Sequence, residues 1–359
     1  MSHDGLRPAP ASARPPLARH RPILVTAFTY RAFANWQPLF RRLNERGHPV
    51  HTALFPHISD PDHMGLFDVD FPNVVTCPIG ADFQTCEKSE ERVLSEVAAW
   101  AGAMRPDFVF TCTFHAGPES RLRATLSRLP QRPLVIGLQH GMKHDWRVFE
   151  QQSDRFDVFG TFGPCFLPEC SDRFRRKMMV MGLPKLDMIA RKPTGGPVRR
   201  ILFAAQNEPS PKKTARLLAA LAGELGAEII VRPHPEHRDA FRALAPLFRT
   251  QPPSVPLAEA LAEADAMITT GSTVALEGLV AGLRVAVLPR QHGDVYQAAG
   301  IVAKSLAARN VIAVFKRYDD PSFRAGIDRF VAEATGAADG SRTEIALAAI
   351  DRLVARQVA

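Results

Sequence analysis

The sequence predicts an α/β protein built as two doubly wound halves. Short, almost wholly apolar runs alternate with amphipathic stretches along most of the chain, as in a parallel sheet covered on both faces. The alternation lapses once, at the polar, Pro- and Gly-rich "KLDMIARKPTGGPVRR" (185–200), and then restarts. A chain of 359 residues is also long enough for two separate cores.

The elements follow in order. "RPILVTAF" (21–28) is a compact apolar run and reads as a strand. "FANWQPLFRRLNERG" (33–47) has helical spacing, and "HPVHTALF" (48–55) is a second strand. Such a β-α-β unit implies a parallel pair with a right-handed crossover. "PNVVTCPI" (72–79) and a helical "EERVLSEVAAWAGAM" (90–104) lead to apolar strands at 107–114, 133–140, 156–162 and 177–184. The second half opens with strand 200–206, helix 213–226 and strand "EIIVRPHP" (228–235). Helices are expected at 236–248, 257–264 and 273–282, strands at 265–270 and 284–290, and two helical stretches beyond Pro321. The expected organisation is a tail (1–20), a first domain (21–190), a linker (191–198) and a second domain (199–359) whose last helix packs back on the first.

Composition narrows the class. The tail is rich in Pro, Ala and Arg and has no apolar h-region, so it reads as disordered and not as a signal peptide. No apolar run nears the ~20 residues that span a bilayer, so a cytoplasmic location is expected, at most peripheral to the inner membrane face. The five cysteines are odd in number and form no C-x-x-C pair, which favours free thiols. A formal charge of +8 suits an anionic ligand such as a nucleotide, or loose attraction to an anionic membrane surface. Nucleic acid is disfavoured because the basic residues are scattered and few aromatics interleave with them.

In open parallel sheets, ligands bind where the strands end. Two unusual strand ends fall in the second half. "RPHP" holds His234 between two prolines beside Arg232, an arrangement suited to meeting an anion in one orientation. "TTGSTVALEG" ends another strand and opens a helix. Gly271 permits a tight turn, Ser272 and Thr273 fall at the N-cap, and the first-turn amides form an anion site. Glu277, about one turn on, is placed to face the same cleft and accept from ribose hydroxyls, though alone it also reads as a surface residue.

The first half has its own cluster in "GLQHGMKHDW" (137–146). Gly141 lets the chain turn after His140, whose imidazole titrates near neutrality and can take a proton from an attacking hydroxyl. Lys143 suits a phosphate contact. A metal on His140 and His144 is disfavoured, because Gly141 lies between them and no third ligand suggests itself. Asp145, His115 of "TCTFHAGPES" and His292 and Asp294 of "PRQHGDVYQAAG" are candidates for the acceptor side or for a lid. The first βα turn lacks G-x-G-x-x-G and there is no Walker A sequence, which disfavours nicotinamide, flavin and P-loop chemistry.

In order and spacing, "QHGMK", "VMGLPKLD", "RPHPE" and "TTGSTVALEGLVAGLRVAVLP" resemble bacterial GT-B transferases. The pattern is most similar to the capsule polysaccharide and CDP-glycerol glycerophosphotransferase group, related in layout to sialyl- and Kdo-transferases. The resemblance covers roughly 105–295 and departs from the group at "MKHDW". It implies two Rossmann-like domains facing across a cleft, with a nucleotide-activated donor held mainly by the second and no metal or other cofactor. It further implies donor phosphate on His234 and the Ser272–Thr273 turn, ribose on Glu277, and His140 as base or phosphate contact. The implied activity is transfer of a sugar or polyol phosphate, from a cytidine nucleotide by preference, to a cell-surface glycan or lipid-linked acceptor. The competing expectations are an epimerase resembling UDP-GlcNAc 2-epimerase and a non-catalytic nucleotide-binding subunit of glycan assembly. The epimerase is disfavoured because Ser-Thr stands where that family has Gly-Gly and paired glutamates.

Overall fold

The computed structural model describes residues 22–27, 30–54, 73–76, 95, 98–112, 124, 126–129, 132–142, 146–151, 153–205, 211–234, 244, 246–252, 255–289 and 294–358. Among these residues the first sheet has seven strands: β1 Ile23–Ala27, β2 Val50–Leu54, β3 Asn73–Thr76, β4 Phe108–Thr111, β5 Leu134–Leu138, β6 Val158–Thr161 and β7 Met178–Val180. Their order is β3-β2-β1-β4-β5-β6-β7, and every pair is parallel. The second sheet has five: β8 Arg200–Ala204, β9 Glu228–Arg232, β10 Arg249–Thr250, β11 Ala266–Thr269 and β12 Arg284–Val287. These lie in the order β10-β9-β8-β11-β12, again all parallel.

The two sheets thus repeat one plan. In each, the first strand is flanked by the second and the fourth, so the winding reverses beside it. That reversal opens a crevice at the carboxyl edge, where neighbouring connections leave in opposite directions. The apolar runs form strands because both faces are covered: all five residues of β1, and all four of β4, β11 and β12, are buried. β10 carried no sequence signal. It is a two-residue, exposed edge strand of Arg249 and Thr250, with no apolar run to betray it.

Helix 33–47 proves to be two helices, Tyr30–Ala34 and Gln37–Glu45, broken at Asn35–Trp36. Pro38 belongs to the first turn of the second helix, where its missing N–H costs nothing. The break lets Trp36 point inward, fully buried, with its ring 5.8 Å from that of Phe162. Phe33, Phe40 and Phe110 continue the cluster, with adjacent centroids 5.8 and 5.6 Å apart. Stretch 236–248 lies largely outside the described residues, as does the tail 1–20.

The stretch between the sheets is not slack. Pro184–Met188 forms a 3-10 helix. Beyond it, the Lys192 amide donates to the Ala281 carbonyl (3.1 Å) and the Thr194 hydroxyl to that of Gly282 (2.8 Å). Lys192 Nζ donates to the carbonyls of Ala262 and Ala264, and burial there pulls its ammonium below the usual lysine range. Arg284 donates to the Gly196 carbonyl at 3.0 Å. Polar and glycine-rich composition signalled a loop, and the loop's polar groups are what lash it down.

The C-terminal helices Pro321–Thr335 and Arg342–Val358 close the molecule. The last packs against helix Gln37–Glu45, β7 and the 3-10 helix Pro184–Met188. Arg342, only 1% exposed, anchors it. Its guanidinium donates to Thr335 Oγ1, to the carbonyls of Asp339 and Ala337, and to Asp187. Among the described residues, no helix is long and apolar enough to cross a membrane.

Candidate active site

β8 lies between β9 and β11, so the ends that carry "RPH" and "TTGST" share one edge of one sheet, two strand spacings or about 10 Å apart. Arg232 is the last residue of β9, and its Nη1 donates to Gln251 Oε1 at 3.3 Å. Burial works against the Arg232 charge, while nearby Glu277 works for it. His234, two residues on, is 7% exposed.

The turn after β11 forms as the sequence suggested, with one difference at the cap. Gly271 takes φ +65°, a left-handed conformation that favours glycine. Thr273 is the N-cap of helix Val274–Val280, but its side chain makes no cap bond. Ser272 Oγ instead accepts from the Val274 amide at 3.4 Å. Ser272 also offers its carbonyl to the Tyr296 hydroxyl at 2.6 Å. Burial, and then the neighbouring Glu277 carboxylate, raise that phenol above the ordinary tyrosine range.

Glu277 is not the surface residue that its helical position also allowed. It is 1% exposed and forms an ion pair with Lys185 Nζ, from the chain that leaves the first sheet. One carboxylate oxygen, Oε1, takes that contact. Oε2 is shielded from water and has no hydrogen-bond partner among the described residues, which is costly for a buried polar atom.

On the first-half side, His140 follows β5 and is partly buried. Its loop is held by side-chain hydrogen bonds that the sequence did not reveal. Gln139, fully buried, donates to the Gly141 carbonyl (2.8 Å) and accepts from Thr161 Oγ1 (2.7 Å) and the Phe162 amide (2.8 Å). Trp36 Nε1 donates to the Gln139 carbonyl at 3.0 Å and Asn35 Nδ2 to that of His140 at 3.1 Å. Asn35 also accepts, through its own carbonyl, from the Lys185 amide at 3.1 Å. Contacts therefore link the backbone of His140, through Asn35 and Lys185, to the Glu277 carboxylate.

Lys143, Asp145, His115 and His292 lie outside the described residues. Asp294 opens helix Asp294–Ala298, and its side chain lies outside them as well. Lys185, Tyr296, Asn35 and Gln139 had not been singled out. Lys185, Gln139 and Tyr296 fell inside quoted motifs ("VMGLPKLD", "QHGMK" and "PRQHGDVYQAAG"), but spacing alone could not pair Lys185 with a glutamate 92 positions later.

No family model and no curated protein sequence matches the chain. Solved structures do. UDP-GlcNAc 2-epimerase from Neisseria meningitidis bound to UDP-GlcNAc aligns over 92% of this chain and 100% of that one, with TM-score 0.62 and 11% identity. Anabaena Alr3699/HepE in complex with UDP and glucose aligns over 94% and 100%, with TM-score 0.61 and 12% identity. CalG4, the calicheamicin glycosyltransferase, aligns over 93% and 99%, with TM-score 0.55 and 13% identity.

The chain has the GT-B fold.

At such identities the likeness is one of fold, and it does not reach the capsule or CDP-glycerol group. A GT-B architecture accounts for the twin sheets with the same winding reversal. It accounts as well for a last helix that returns to the first half. The fold hosts both transferases and epimerases among these neighbours, so chemistry has to be argued from side chains.

Proposed function

We propose that the protein is a nucleotide-dependent transferase that moves a sugar or polyol phosphate from a nucleotide-activated donor to a glycan acceptor. The observation that supports it most is Glu277: buried, paired among the described residues through one oxygen only, and near Arg232 at the edge of the second sheet. A carboxylate so held suits the vicinal hydroxyls of a ribose, and an arginine beside it suits the phosphates.

In this reading Arg232, His234 and the Gly271–Ser272–Thr273 turn hold the donor phosphates, with Lys143 adding a charge from the first half. His140 accepts the proton of the acceptor hydroxyl as its oxygen attacks the donor. The bond from the transferred group to the leaving nucleotide breaks, and its electron pair goes to the phosphate oxygen. Arginine and lysine charges offset the growing negative charge there, so the reaction is proposed to run without a metal. The donor is a pyrimidine nucleotide. Cytidine is favoured by the motif resemblance, whereas the solved neighbours named above hold uridine ligands.

The test has two stages. Thermal shift against CMP, CDP, UDP, GDP and dTDP should single out one nucleotide, since a ligand at 100 times its Kd stabilises by about 2.7 kcal/mol. Turnover of the matching nucleotide sugar, read as nucleotide released, should persist in EDTA. It should fall by about a hundredfold or more in His140→Ala, the usual loss on removing a general base. No nucleotide binding, or unchanged turnover in both His140→Ala and His234→Ala, would sink the proposal. Proton exchange at the sugar C2 without acceptor would support an epimerase, and binding without turnover a non-catalytic subunit.

A further inference from the structure

Lys185 stands apart because it belongs to neither strand-end motif yet touches both halves of the site. Its backbone amide is tied to Asn35, which also holds the His140 carbonyl, and its ammonium pairs with Glu277. The 3-10 helix that presents it is fixed at both ends. Leu183 donates its amide to the Thr335 carbonyl at 3.2 Å, and Asp187 accepts from the Thr343 amide and hydroxyl at 2.7 and 2.8 Å. Lys185 thus reaches Glu277 from a rigid base.

Only 25% of the Lys185 side chain and 2% of the Glu277 side chain are exposed. An ion pair so shielded is strong in direction, because the carboxylate has few other ways to turn. With Oε1 committed to Lys185, Oε2 is the oxygen left to accept, and among the described residues it has no partner. A buried carboxylate oxygen without a donor is an acceptor that a ligand hydroxyl can satisfy.

We infer that Lys185 is a positioning residue for the nucleotide ribose: it holds one oxygen of Glu277 so that the other accepts from the 2′,3′-diol. The inference rests on the nucleotide-dependent reading and extends it to a residue of the opposite half. Because Oε2 is shielded, a ligand reaches it only when its surroundings part.

Calorimetric titration of the full chain with UDP and CDP, and with their 2′,3′-dideoxy analogues, tests this. Wild type should prefer the ribonucleotide by about tenfold or more, the worth of a hydrogen bond to a charged acceptor. Lys185→Met and Lys185→Gln should bring that preference close to unity, and Lys185→Arg should keep most of it. Each titration uses the preference within one variant. A partly misfolded sample weakens both ligands by the same factor and leaves their ratio unchanged. A wild-type preference that survives in Lys185→Met overturns the role of Lys185 and leaves nucleotide dependence standing. Binding without any wild-type preference overturns it too. No binding of either ribonucleotide by wild type removes both readings.

Discussion

Cys165 and Cys170 show how far one side chain's chemistry depends on what surrounds it. Free thiols were expected from cysteine count and spacing, and among the described residues Cys112, Cys165 and Cys170 form no disulfide. Burial pushes the Cys165 thiol up to about 12, with Glu169 and Glu333 adding to the effect. Cys170 is pushed equally far, first by burial and then by Glu150 and Glu169, with Arg175 opposing. Thiolate is the reactive form, so neither should be alkylated by iodoacetamide at pH 8 in the native chain, and both should label in denaturant. Peptide mapping by mass spectrometry reads this directly, and rapid native labelling of either would contradict the packing described. Glu277 teaches the same lesson from the other side. Its place four residues after Thr273 was visible, but its burial and its lysine partner depend on a segment far away in sequence.

At the level of elements, periodicity located helices well where one face is buried. Helix Pro211–Leu225 buries Leu217, Leu218 and Leu221 at helical spacing, close to the expected 213–226. It did worse where a side chain had to turn inward, as at Trp36, or where the element was an exposed edge, as at β10. The stretch between the sheets is the clearest case. Gly282 takes φ +81°, and a Cβ there would lie 2.1 Å from the Lys192 carbonyl. Gly282→Ala should therefore lower stability by about 2 to 4 kcal/mol, combining backbone strain with overpacking. Gly195→Ala, where a Cβ meets nothing within 4 Å, should change it by less than about 0.5 kcal/mol. Chemical denaturation of both variants gives the comparison, and equal effects would mean the segment is not docked as described.

For the molecule as a whole, the question is what joins the two sheets. Asp187 accepts from the Arg342 amide and guanidinium and from the Thr343 amide and hydroxyl, and so ties the exit of the first half to the last helix. Removing its carboxylate leaves a guanidinium that is only 1% exposed without its counter-charge, though still bonded to Thr335 and two carbonyls. Asp187→Ala should cost about 3 to 5 kcal/mol, as when one partner of a buried pair is lost. Hydrogen exchange should show the loss first in Arg342–Val358. An intact last helix in a variant of wild-type stability would show that other contacts hold it. Gly163 adds a steric joint: a Cβ there would lie 2.1 Å from the Glu333 carbonyl, so the halves meet backbone to backbone.

The sequence by itself determined the strand count of each half apart from β10, the parallel sense of the sheets, and the two strand ends that share an edge. These follow from short-range apolar patterning and from the rule that parallel strands need crossovers, both of which are written locally. Tertiary structure alone decided that Glu277 is buried, that Lys185 partners it, and that Asn35 and Gln139 hold the His140 loop. Those contacts join residues up to 105 positions apart. Their energy comes from removing charge and backbone polar groups from water together, and no local pattern records which distant group will be there to meet them.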